Sequence, residues 1–343
     1  MKSHAIIPVF IPHKGCNNEC VFCNQRKITA HSAPLSPEDI HKTVREYMST
    51  LSGMNVPEIE LSFFGGSFTG IPIDEQRDFL AIAREYKEQG VISKIHLSTR
   101  PDYIDRPILD NLKAYGVDTI ELGVQSFSDE VLRASKRGHD AACVYKSCEL
   151  IKDYGFTLGI QLMIGLPGDT FEYDVFSAEE TVKLAPSIAR LYPTVVIGDT
   201  GLYEMFRSGS YIPLTTDEAV ERTAAMYRII DGAGINIIRV GLKSSDIISD
   251  NAVTSGTFHP AFRQLVEGRI AREDLESRLE KFAAGSDVIC SCSPDSFNNM
   301  IGHKAENKRY FSEAFPGLRI KYIADDSAKK GVYSARTDKG DKK

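Results

Sequence analysis

The chain has 343 residues, 42% of them hydrophobic, and a formal net charge of −6. That apolar content suits a large α/β core and excludes a disordered chain. No apolar run reaches the roughly 18 residues of a membrane-spanning helix, and the acidic balance excludes a global basic field for nucleic acid while leaving a local basic patch open.

The first strand is expected at "AIIPVFIP" from Ala5, directly before the segment "PHKGCNNECVFCNQ". A helix follows at "SPEDIHKTVREYMSTL", with Ser36 as N-cap and Pro37 at the first helical position. A second strand, "IELSFFGG" from Ile59, runs into Gly65, Gly66, Ser67 and Thr69, where two glycines let backbone groups approach a ligand and two hydroxyls stand ready. The helix "DEQRDFLAIAREYKEQG" closes on Gly90. Further strands are read at "KIHLSTR" from Lys94, "TIELGVQS" from Thr119, "LGIQLMIG" from Leu158 and "ARLYPTVVI" from Ala189. Six strands alternating with helices and joined by right-handed crossovers give either an open doubly wound sheet or a partly closed barrel.

Period-2 alternation separates apolar Ile120, Leu122 and Val124 from Glu121, Gly123 and Gln125. The same split sets Gly159, Gln161 and Met163 on one face of the next strand, and His96, Ser98 and Arg100 on the third. A parallel sheet buried on both faces prefers apolar residues throughout, so a polar row repeated over several strands points to strands that surround a ligand. After "INIIRVG" from Ile235 the rhythm breaks into the linker "LKSSDIISDNAVTSGTFHP". A helix from about Pro260 to Ala284, the strand-like "DVICSCS", the helix-like "DSFNNMIGHKAENKRYFSEAF" and the strand-like "LRIKYIA" follow. The expected organisation is a core domain over 1–241, an appendage over 242–330 and a frayed tail over 331–343.

Three of the seven cysteines, Cys16, Cys20 and Cys23, stand in the spacing C-x3-C-x2-C. An odd, clustered set in a chain without a secretory leader, expected in the cytoplasm, argues for metal or catalytic roles over a disulfide framework. A cubane cluster normally takes four thiolates, so three would leave one iron open. With His13 the motif also reads H-x2-C-x3-C-x2-C, a closed zinc site. Cys290 and Cys292 share one side of a strand and offer either an auxiliary ligand pair or two small core residues.

The cysteine motif just after a first strand, with Phe22 before the third cysteine, resembles the radical S-adenosylmethionine (SAM) superfamily. "STRPDYID", "LDNLKAYGVDTIELGVQSFSDEVLRASKRGH", "LIKDYGFTLGIQLMIGLPGDT" and "RLYPTVVIGDTGLYEMFRSGSY" resemble the radical-SAM half of the elongator catalytic subunit family, which modifies the wobble uridine of tRNA. The resemblance implies a partial TIM-like (β/α)6 barrel, with a 4Fe-4S cluster on Cys16, Cys20 and Cys23 whose open iron chelates SAM. It places Gly65, Gly66 and Ser67 at the methionine end of SAM, makes Ser98, Arg100, Gln125 and Gln161 lumen candidates for SAM or substrate, and gives Gly165–Gly168 the adenine edge. The alternative readings are an ion pair of Arg100 with Glu121 and a plain loop in which Pro167 opens the next helix. It also implies a radical that abstracts hydrogen from a small molecule, a peptide or tRNA, with an electron donor such as flavodoxin or ferredoxin. The family's acetyltransferase domain is not expected, because the residues after Gly241 carry no acyl-CoA-binding pattern, and a lysine of the family is replaced by Arg190.

Overall fold

The computed structural model describes residues 4–11, 16, 20–23, 35–242 and 253–338. Seven parallel strands form one open sheet: β1 (His4–Ile11), β2 (Glu58–Gly65), β3 (Lys94–Thr99), β4 (Thr119–Gln125), β5 (Thr157–Ile164), β6 (Ile188–Pro193) and, after a short strand β7 (Val195–Ile197), β8 (Asn236–Val240). The order follows the chain, as sequential βα units dictate. Six strands were expected; the seventh is "NIIRV", which pairs with β6. "ARLYPTVVI" divides, because β7 leaves the main sheet and pairs antiparallel with β9 (Val253–Gly256). The architecture is a partial TIM-like barrel with helices on its outer side.

Helices α1 (Pro37–Leu51), α2 (Ile73–Glu88), α3 (Arg106–Ala114), α4 (Asp129–Ala134), α5 (Ala141–Asp153), α6 (Phe171–Leu184), α7 (Gly201–Arg207) and α8 (Thr216–Gly232) carry local start signals. Ser36 closes a capping box with Asp39, and Thr215 does the same with Glu218. Gly90 lies just past α2 at a φ of 72°, the left-handed stop anticipated for it. Pro167 does not open a helix: α6 starts at Phe171 behind its N-cap Thr170.

The alternation holds in three dimensions. Leu61, Phe63, Ile95, Leu97, Ile120, Leu122, Ile160 and Leu162 are fully buried within the main core, which includes residues of the outer helices, each contributing about 1.5–3 kcal/mol. The opposite row, Ser62, His96, Ser98, Glu121, Gly123, Gln161 and Arg190, faces the concave side through aligned registers.

Helix α9 (Phe262–Leu279) sends Phe262 and Val266 into the main core and Ala271, Leu275 and Leu279 into a second one. That second core lies under a small sheet of β10 (Asp287–Cys292), β11 (Arg319–Ala324) and β12 (Tyr333–Thr337). The tail therefore departs from a frayed segment, since β12 pairs antiparallel with β10; residues 339–343 lie outside the described residues. The long helix read from Asp295 breaks into α10 (Phe297–Ile301) and α11 (Glu306–Ala314), with Gly302, Lys304 and Ala305 at positive φ between them.

Candidate functional site

Strand β1 delivers the chain to the cysteine loop at the C-terminal edge of the parallel sheet, the end where such barrels place their chemistry. The loop is docked by its backbone. Val21 N–H donates to the carbonyl of Ser135 (3.1 Å), and the Val21 carbonyl accepts from Leu202 N–H (2.7 Å). Val21 packs with Val196, Leu202 and Tyr211 in a buried apolar cluster. Gly201 lets this contact close, since a Cβ there would meet the Val21 Cα at 3.3 Å.

Two guanidinium groups reach the sulfurs. Arg137 Nη1 lies 3.2 Å from Cys20 Sγ, and Arg100 Nη1 lies 3.6 Å from Cys20 Sγ and 4.0 Å from Cys16 Sγ. Arg100 is only 4% exposed. It is clamped by Asp102 through Nε (2.9 Å) and Nη2 (2.8 Å), and Nη2 also donates to the carbonyl of Arg137. Burial works against its charge, yet the Asp102 hydrogen bonds hold its pKa above the ordinary arginine value. The Cys23 thiol is pushed up to about 12 by burial and then by Cys20 and Cys16, with Arg137 and Arg100 pulling the other way. Arg137 is also poised over the Phe22 ring, 6.0 Å from its centroid.

Arg100 thus pairs with Asp102 and not with Glu121, and its remaining nitrogen, Nη1, faces the cysteines. Arg137 was not singled out from the sequence. The available signal is a cation just past α4, within "SKRGH".

The glycine turn is laced to the start of the cysteine loop, since Gly66 N–H donates to the carbonyl of Ile11, the last residue of β1 (3.0 Å). Gly65 adopts a φ of 105° and is exposed, which leaves its backbone open to a ligand. Ser67 is different. The residue is 1% exposed, and its hydroxyl bonds the Thr99 hydroxyl (2.8 Å) and accepts from Arg100 N–H (3.0 Å), so it fixes the turn.

In the lumen, Gln161 Nε2 donates to Gln125 Oε1 (3.3 Å), and Ser98 donates to Glu121 (3.3 Å). Gln125 sits at a register shift with a φ of 72°, a conformation that costs of order ~1 kcal/mol and is typical of ligand-facing positions. Glu121 takes Arg190 Nε at 2.6 Å and lies 3.6 Å from His96 Nε2, while His96 Nδ1 meets Glu60 at 2.7 Å. Burial works against the Glu60 charge, but the His96 contact outweighs it and holds the Glu60 pKa below the usual carboxylate range.

Three thiolates flanked by two permanent cations fit a negatively charged iron–sulfur cluster. A single tetrahedral zinc would hold thiolates about 3.8 Å apart. Among the described residues the potential metal ligands His4, Glu58 and Glu60 lie within 4.8 Å of one another at the start of β1 and β2, away from the cysteine loop. His13, which the zinc reading requires, lies outside the described residues. Cys290 and Cys292 are fully buried in the apolar core of the small sheet, where burial pushes their thiols up to about 12 and about 11.

A partial parallel barrel with a three-cysteine loop at the C-terminal edge of its first strand defines a class, and the family comparisons agree. The Radical SAM superfamily model matches residues 10–176, and the Radical_SAM C-terminal domain model matches residues 186–272. The chain belongs to the radical SAM superfamily. Within it, the chain is 30% identical over 247 residues to Elongator complex protein 3 of Homo sapiens, covering 66% of this chain and 44% of that protein. It is 32% identical over 189 residues to the tRNA uridine(34) acetyltransferase of Methanocaldococcus infernus, covering 49% of this chain and 35% of that protein. Among solved structures, Methanocaldococcus infernus Elp3 with an N-terminal deletion superposes with a TM-score of 0.63 at 22% identity, covering 80% of this chain and 64% of that one. The chain spans less than half the length of these curated relatives. None of the helices in the described residues is long and apolar enough to cross a membrane.

Proposed function

We propose that this chain is a radical SAM enzyme in which Cys16, Cys20 and Cys23 hold a 4Fe-4S cluster and the Gly65–Gly66 turn receives the methionine end of SAM. The observation that carries this reading is the convergence of Arg100 and Arg137 on the cysteine sulfurs, beside a glycine turn hydrogen-bonded to the same loop. When bound, the cluster supplies the electron that splits SAM into methionine and a 5'-deoxyadenosyl radical, with flavodoxin or ferredoxin as the reductant.

The chain's own residues do the rest. Arg100 and Arg137 offset negative charge at the sulfurs. Gly65 and Gly66 present backbone groups without a Cβ in the way, and Ser67 holds that turn to Thr99. Val21, Leu202 and Tyr211 form an apolar patch against the loop that limits water there. Ser98, Gln125 and Gln161 line the lumen, where they orient SAM or the substrate. Anaerobic reconstitution with iron and sulfide, followed by a dithionite-driven assay for 5'-deoxyadenosine, tests the reading. Formation of 5'-deoxyadenosine that depends on all three cysteines supports it; a colourless protein with stoichiometric zinc and no SAM cleavage overturns it.

A second, narrower reading takes tRNA as the substrate, favoured by the 30–32% identity to relatives that include a tRNA uridine(34) acetyltransferase. The net charge of −6 then calls for a local basic surface or a partner to bind the RNA. A tRNA mobility shift that weakens with salt supports it; no binding at low salt counts against it.

A further inference from the structure

Two arginines stand on neighbouring strands of the lumen, and among the described residues Glu121 is the carboxylate that pairs with them. Arg190 on β6 and Arg239 on β8 are register partners across parallel strands. Glu121 engages Arg190 through Nε (2.6 Å), and Arg190 Nη1 donates to the Tyr192 hydroxyl (3.3 Å). Its Nη2 is buried and has no hydrogen-bond partner among the described residues. Arg239 donates through Nε to the carbonyl of Gly241 (3.2 Å) and forms no ion pair with a carboxylate among the described residues. Burial raises the Tyr192 phenol, and the Arg190 charge, then that of Arg239, pulls it back. The Phe64 ring lies 5.0 Å from the Arg190 guanidinium carbon and steadies its plane.

Like charges on neighbouring strands repel, and a buried donor left unpaired forfeits its hydration without a hydrogen bond in return. The fold sustains both costs at the one face that the proposed reading assigns to ligands. Guanidinium groups prefer planar or tetrahedral oxyanions, which they bind with two donors at once.

We propose that Arg190 and Arg239, with the Tyr192 hydroxyl, form an oxyanion site in the barrel lumen that takes a carboxylate or phosphate group of the substrate. The site rests on the reading of this lumen as the substrate cavity, and narrows the substrate class to molecules that carry such an anion. Arg190 and Arg239 are binding residues here; Tyr192 is a positioning residue that orients Nη1.

The test uses the anaerobically reconstituted protein, with malonate and inorganic phosphate as separate calorimetric probes and SAM titrated in parallel. Saturable binding of one probe is expected, weakened at least tenfold in Arg239→Gln, which leaves the Glu121–Arg190 pair in place. The double variant Glu121→Gln/Arg190→Gln removes that pair together, so no buried charge is stranded, and is expected to lose binding to a similar degree while its SAM affinity stays within about twofold. Preference for malonate identifies a carboxylate, preference for phosphate a phosphoryl group. Absence of saturable binding, equal binding by the variants, or competition between the probe and SAM would overturn the proposal, the last by assigning the arginines to the carboxylate of SAM itself. Anion binding that follows these expectations supports the site even in a preparation that fails to bind SAM, so failure of the two readings is distinguishable.

Discussion

Replacing Arg100 by Gln removes a buried cation from beside two cysteine sulfurs while keeping a polar side chain of similar reach. At 3.6 Å from Cys20 Sγ, a unit charge in surroundings of effective dielectric near 20 is worth about 4–5 kcal/mol to a thiolate. Arg137 remains at 3.2 Å from the same sulfur and takes over part of that role. A net loss of about 1.5–3 kcal/mol is therefore expected, a tenfold to hundredfold weaker hold on iron. The same change strands Asp102, whose side chain is 22% exposed, and leaves the Arg137 carbonyl without its donor; an unpaired, mostly buried partner adds about 2–4 kcal/mol of destabilisation. Arg100→Lys separates the two effects, because it keeps the charge and loses the fork. The assay is anaerobic reconstitution, with iron and sulfide counted per chain, then iron loss to a chelator over time and thermal unfolding of each sample. Arg100→Gln should lose iron fastest and Arg100→Lys should fall between it and the wild type. In any sample that retains the cluster, the reduction midpoint should move negative, since a removed cation disfavours the added electron. Equal iron retention in all three proteins at equal stability would refute the assignment of Arg100 to the cysteine loop.

Glu121→Ala should destabilise the fold by about 3–5 kcal/mol, because it strands Arg190 in the lumen, whereas Glu121→Gln/Arg190→Gln should stay within about 1–2 kcal/mol of the wild type; a urea-unfolding double-mutant cycle with no coupling would contradict this. Asp174, buried beside Asp169 and 3.3 Å from Arg222 Nη1, has its pKa raised from 3.8 to about 9 by burial and by Asp169. The folded chain therefore binds a proton there that the unfolded chain releases above about 3.8, so stability should fall as pH rises from about 4 to about 9. Asp174→Asn should flatten that fall in a Tm series against pH, and an unchanged slope would count against the assignment. Cys290→Ala and Cys292→Ala should each cost about 1–3 kcal/mol through the cavity left in the small sheet's core and leave the iron content unchanged; a loss of iron would instead make the pair cluster ligands.

The barrel strands and their two faces were legible because alternation of apolar and polar residues is a local property, repeated in "TIELGVQ" and "TLGIQLMI". The seventh strand was passed over although its pattern is ordinary, since "NIIRV" is five residues long and stands next to the break in rhythm that suggested a boundary. Helix α9, past that break, feeds two cores, and burial against a distant element leaves no mark on its own sequence. The cysteines announced themselves by spacing. Arg100 was found as a lumen residue by strand parity, but it stands one position past the end of β3, where the backbone turns and parity no longer governs direction; Asp102, two residues on, is what aims it at the cysteines. The bond between the Ser67 and Thr99 hydroxyls has no mark in either segment alone, because Thr99 comes from another strand. Arg137 needs three segments to acquire its role, and none of them alone carries the signal.

The most direct measurement is electron paramagnetic resonance on the anaerobically reconstituted, dithionite-reduced chain, recorded with and without SAM. The account requires the signal of a reduced 4Fe-4S cluster whose g-values shift when SAM is added, and whose intensity disappears in Cys20→Ala. A silent spectrum from a protein carrying stoichiometric zinc, or an iron–sulfur signal indifferent to SAM, would contradict it.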